Sequence, residues 1–124
     1  MERLGNVEPI PVLNFPELLA RVDNDRDLLC ELLGLFKQES ADLLRTLKQA
    51  VLDEDMKCVE TTGHTLKGML ASLSAKRGAT AAASLEAIGR SGVKSELREA
   101  LAAFESEITL LLPSIDSYLD EVGQ

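Results

Sequence analysis

From residue 14 onward, apolar residues recur at the three- and four-residue spacing of amphipathic helices. Asn14 offers a capping oxygen and Pro16 a pre-set φ in the first turn, so a short helix is predicted over 15–22, with Leu18, Leu19 and Val22 on its apolar side. Asp23, Asn24 and Asp25 supply turn and capping oxygens ahead of a long helix over 25–52. There Leu28, Leu29, Leu32, Leu35, Phe36, Leu43, Leu47 and Val51 keep helical spacing. A third helix is expected over 54–74, its acidic entry Asp53-Glu54-Asp55 suited to the positive end of the helix dipole. Lys76-Arg77-Gly78 breaks the pattern, and an alanine-rich helix over 79–88 is read as ending at Gly89 and Gly92. Leu97, Leu101, Phe104, Ile108, Leu111 or Leu112, and Ile115 mark a last helix. Pro113 interrupts it, because proline removes the bond to the Thr109 carbonyl, so a kink or a restart over 113–122 is expected.

Short connections force successive helices to run antiparallel. The expected fold is therefore all-α: an up-down four-helix bundle with a short N-terminal capping helix. Residues 1–13, with Gly5, Pro9 and Pro11, are expected to form an irregular leader ahead of a bundle domain over 14–122. At 124 residues one domain is expected, and with no tryptophan, one tyrosine and three phenylalanines its core must be aliphatic.

A net charge of −8 without a basic cluster argues against nucleic acid and against acidic membrane surfaces as partners. No apolar run approaches the length of a membrane span, and Met1-Glu2-Arg3-Leu4-Gly5 lacks the start of a signal peptide, so a cytoplasmic domain is expected. Cys30 and Cys58 stand far apart and read as reduced thiols. With a single histidine and no paired cysteines, no metal site is expected.

That histidine, His64, is the chemical focus of the chain. At about 100° per residue, Val59, Leu66, Met69, Leu70 and Leu73 fall roughly 140° to 240° away from it, on one apolar stripe. Within about 60° of His64 lie Lys57, Glu60, Thr61, Lys67, Gly68 and Ala71. The imidazole is thus expected to face solvent among charges and small side chains. Glycine is a poor helix former, so Gly68 beside the histidine, continued by Ala71, points to close approach of another molecule. Glu60 is near enough to pair with Lys57 or Lys67. One exposed histidine without an evident carboxylate to orient it makes a poor hydrolytic triad.

His64, Leu66, Lys67 and Gly68 together form the pattern His-x-Leu-Lys-Gly. On this motif the chain resembles the histidine-containing phosphotransfer (HPt) domains of multistep two-component phosphorelays. Asp25, Leu28, Leu29, Leu32, Leu33, Phe36, Leu43, Leu44 and Leu47, then Ala50 and Asp55, are similar to the family's long helix and the acidic turn after it. Leu73, Ala75 and the pair Leu85-Glu86 fall where the family has comparable residues, and the resemblance spans about residues 13 to 119. It departs at Ser74, where glycine is usual, at Gly63, where alanine is common, and at Ala71-Ser72, which replace a Gly-Asn-like pair.

The resemblance implies a carrier that accepts a phosphoryl group on Nε2 of His64 from a receiver-domain aspartate and passes it to another. Lys67 would steer and stabilise the phosphoryl charge. The partners implied are response-regulator receiver domains or a hybrid histidine kinase, and Mg²⁺ would arrive with the receiver. No cofactor is expected in this chain, and no Walker loop or kinase signature is present to bind ATP. Docking is expected on Gly68, Ala71, Thr61 and Glu60, and on Leu18 or Leu19 with the start of the long helix. Those two leucines are equally core candidates, since a short capping helix must bury something. The alternatives are a silent bundle that binds a receiver or kinase without being phosphorylated, and a purely structural helical domain.

Overall fold

The computed structural model describes residues 9–122; of the expected leader, residues 1–8 lie outside them. Helix α1 spans Phe15–Arg21, α2 Arg26–Asp53, α3 Met56–Ser72, α4 Lys76–Ser91 and α5 Leu97–Val122, with a 3-10 turn at Lys94–Glu96. The caps predicted at Asn14 and Asp25 form, and Asp55 of the acidic entry adds a third. Asn14 Oδ1 accepts from the Glu17 amide at 3.1 Å, Asp25 Oδ1 from Leu28 at 3.0 Å, and Asp55 Oδ1 from Cys58 at 3.1 Å. Each satisfies a first-turn N–H that has no partner within its own helix.

The four long helices close a ring: α2 contacts α3, α3 contacts α4, α4 contacts α5 and α5 returns to α2, with α3 and α4 the most extensively paired. Leucines fill the middle, among them Leu29, Leu33, Leu47, Leu66, Leu70, Leu85 and Leu111, together with Phe104 and Ile115. Helix α1 lies across one end, with the Asn14 amide on the Ser74 carbonyl and Arg21 donating to the carbonyls of Ala71 and Ser72. Both cysteines are free and half-buried. No helix among the described residues is long and apolar enough to cross a membrane.

One expectation is corrected and a second is narrowed. Helix α4 begins at Lys76, not 79, and runs past Gly89 to Ser91. Gly78 does not break it; its hydrogen atoms lie under the Leu70 methyls, which a Cβ would meet at 3.2 and 3.3 Å. Arg77 reaches across to Glu107 of α5 at 3.0 Å, and only Gly92, at φ 77°, takes the left-handed conformation that ends the helix. Of the two outcomes expected at Pro113, the restart does not occur: helix α5 runs through the proline. Its core residues Ile108, Leu111 and Ile115 lie on both sides of the proline and hold the flanking turns, while Thr109, which loses its bond, sits on the exposed face where water can serve its carbonyl.

A carboxylate-backed histidine on the α3–α4 face

His64 projects from the middle of α3 with its side chain 68% exposed, as the helical spacing predicts, while Val59, Leu66, Leu70 and Leu73 are buried. Its Nδ1 is not free: it lies 2.9 Å from Glu86 Oε2 on α4. Lys67 Nζ contacts the other oxygen, Oε1, at 2.7 Å, and Arg90 donates from Nη2 to Oε2 at 3.0 Å. Arg90 Nε also reaches Glu60 at 3.1 Å, and Lys57 lies 3.5 Å from the same carboxylate. Glu60 is therefore shared by Lys57 and Arg90, and Lys67 belongs to Glu86.

The Glu86 carboxylate is only 7% exposed, a position that would raise its pKa if it stood alone. The Lys67 hydrogen bond outweighs that burial and, with the bond from His64 and the charge of both, holds the carboxyl at about 2. Glu86 is thus an ionised acceptor over the physiological range. It takes the Nδ1 proton as a hydrogen bond, which fixes the neutral ring in the Nδ1–H tautomer and leaves the Nε2 lone pair pointing away. Nε2 has no hydrogen-bond partner among the described residues.

Glu86 is the carboxylate orienter that sequence spacing did not reveal; the expectation that His64 lacks one is corrected. A signal for it existed. Ala82, Leu85, Glu86 and Gly89 share one buried stripe of α4, and a carboxylate inside such a stripe needs a partner.

The small-residue strip is open. Gly68 and Ala71 are exposed, and a Cβ on Gly68 would meet nothing within 4 Å. Thr61 is exposed with its hydroxyl turned back to the Lys57 carbonyl at 3.2 Å. Leu18 does not belong to this surface: it is 1% exposed and lies in the core, because a seven-residue helix stays attached only by burying its apolar side. Leu19 is half-buried against the same core. The exposed apolar residues near the strip come instead from α2: Leu32 and Leu35 border a cleft with Phe36, Met69, Ser72 and Leu73.

The all-helical ring therefore exposes one oriented imidazole, with Nε2 facing solvent. The Hpt domain family matches residues 31–122, and the chain belongs to that family, with a histidine phosphotransfer role in phosphorelays. Hpt domains are phosphocarriers, not kinases, and act with two-component response regulators or kinases. The crystal structure of histidine-containing phosphotransfer protein B (HptB) from Pseudomonas aeruginosa shares the fold, with a TM-score of 0.84 and 22% identity over 91% of this chain and 98% of that one. No curated protein sequence matches the chain.

Proposed function

We propose that His64 is the phosphoacceptor, taking a phosphoryl group on Nε2 from the aspartyl phosphate of one receiver domain and delivering it to the aspartate of another. The observation that carries this reading is the pairing of an exposed imidazole with a buried carboxylate at its Nδ1, 2.9 Å away.

That pairing serves both directions without a separate base. In the forward step the Nε2 lone pair attacks phosphorus, the N–P bond forms, the aspartyl O–P bond breaks, and the carboxylate leaves with its electron pair. The ring, already bearing the Nδ1 proton, becomes cationic, and the ionised Glu86 stabilises that charge where it develops. In the return step a carboxylate oxygen attacks phosphorus and the N–P bond breaks. Its electron pair returns to Nε2, so neutral imidazole leaves with its Nδ1 proton unmoved.

Lys67 is assigned a divided role. Its bond to Glu86 fixes the carboxylate, and at 38% side-chain exposure it remains near enough to the solvent face to balance charge on the equatorial phosphoryl oxygens. The receiver supplies the Mg²⁺, and this chain needs no cofactor of its own. The docking surface comprises Gly68, Ala71, Thr61 and Glu60 around His64, continued by Leu32 and Leu35 of α2.

The test is transfer from a phosphorylated receiver to wild type and to His64→Gln, with acid-labile, alkali-stable label as the readout and circular dichroism to verify folding. An exposed position tolerates the change within about 0.5 kcal/mol, so the variant should fold and take no label. Label retained by a folded His64→Gln would refute the assignment.

A further inference from the structure

Helices α3 and α4 touch backbone to backbone beside the site. A Cβ built on Gly63 would lie 2.9 Å from the Glu86 amide nitrogen, and 3.2 Å from both Glu86 Cα and the Ala82 carbonyl oxygen. A second seam lies toward the other end of the pair, where a Cβ on Gly89 would lie 2.5 Å from the Glu60 nitrogen and 2.8 Å from the Met56 carbonyl. All of these are main-chain atoms, which cannot swing aside as a side-chain tip can. Gly63 immediately precedes His64, and the residue it meets on α4 is the one whose carboxylate holds the His64 ring.

We propose that Gly63 is a positioning residue for phosphotransfer: its missing Cβ seats the Glu86 backbone against α3 and so sets the carboxylate at direct hydrogen-bond distance from His64 Nδ1. This rests on His64 being the phosphoacceptor. Ordinary Cβ contacts begin near 3.4 Å, so alanine at 63 must push α4 outward by about 0.5 Å at Glu86, stretching the 2.9 Å bond to about 3.4 Å, the outer edge of hydrogen bonding. Lys67 has four rotatable methylene bonds and follows the displaced carboxylate. The imidazole, on two torsions, does not. The Nδ1 bond is therefore weakened until it no longer fixes the tautomer while the Lys67 pair persists, a selective outcome that general loosening of the bundle does not produce.

The experiment compares wild type, Gly63→Ala, Glu86→Ala and the double variant in the full chain. Two quantities are read: the imidazole tautomer by ¹⁵N NMR and the transfer rate from a phosphorylated receiver, at a temperature where circular dichroism shows each chain folded. Gly63→Ala should lose the fixed Nδ1–H tautomer and slow transfer by about tenfold, the scale of losing a group that orients a functional histidine. In the Glu86→Ala background the same change should add less than about twofold, because the two act through one contact. The proposal is overturned by a folded Gly63→Ala with wild-type tautomer and rate, by losses that multiply in the double variant, or by a chain that cannot fold, which would make Gly63 a requirement of packing alone. If wild type accepts no phosphoryl group, the reading of His64 fails instead, and the tautomer measurement still decides the role of Gly63.

Discussion

Replacing Gly68 by glutamine should move stability and function in opposite directions. Glycine in a helix interior lies near the bottom of the propensity scale and glutamine near the top, a difference of about 0.5 kcal/mol in favour of the variant. Nothing stands in the way of that gain, since position 68 is exposed and a Cβ there meets no atom within 4 Å. For a domain of this size the gain corresponds to a rise in melting temperature of about 2 °C. Transfer answers to a different constraint. Gly68 lies one turn from His64 on the same face, and the receiver's aspartate and the imidazole must come within about 3.5 Å of the shared phosphorus for reaction. A glutamine side chain on that strip holds the two backbones apart, so transfer should fall by at least tenfold, about 1.4 kcal/mol in the barrier. The assay pairs a thermal melt with the transfer time course and the receiver affinity, all at one salt concentration. A variant that is more stable and transfers at the wild-type rate refutes the docking surface drawn around Gly68 and Ala71.

Ser74 sits at φ 59° with its hydroxyl buried and unpartnered among the described residues, so Ser74→Gly should stabilise the fold by about 1 kcal/mol; a lowered melting temperature would show that the strain is illusory. Glu86, with its carboxyl lowered to about 2 from an ordinary 4.5, adds stability that is complete above pH 4.5 and lost as pH falls toward 2. Glu86→Gln should therefore flatten the acid limb of the stability curve in that window, and parallel curves for the two proteins would contradict the assignment. Lys67→Ala removes the shortest partner of the Glu86 carboxylate and should lower the melting temperature while slowing transfer without abolishing it. Wild-type rate and melting in this variant would leave Lys67 a surface charge.

The existence of each helix and the outward aim of His64 were legible in the sequence because both follow from periodicity, a property of one helix at a time. Glycine misled at the helix ends. Gly78 and Gly89 read as punctuation, yet both lie inside α4, where a side chain would strike Leu70 or the backbone of α3. The left-handed residues that do end α1, α2 and α3 are Asp23, Glu54 and Ser74. In each case the next residue's amide bonds five back: Asn24 to Leu19, Asp55 to Ala50 and Ala75 to Leu70, the Schellman closure usually formed with glycine. Left-handed residues other than glycine thus end α1, α2 and α3, Gly92 ends α4, and Gly63, Gly78 and Gly89 serve close helix contact instead.

The same division explains why Glu86 escaped. Spacing can assign a residue to a face, but it does not set the register of α4 against α3, and only register decides which side chains meet. That register is fixed where main chains touch, at Gly63 against Glu86 and at Gly89 against Glu60. The two glycines bring together Glu60, His64 and Lys67 of α3 with Glu86 and Arg90 of α4, five charged or titratable groups drawn from positions as far as 30 residues apart. Ala71 and Gly68, which depend on no register, were placed correctly from the helical wheel. The reactive group was therefore readable from α3 alone, whereas the group that orients it could be found only once the distance between two helices was known.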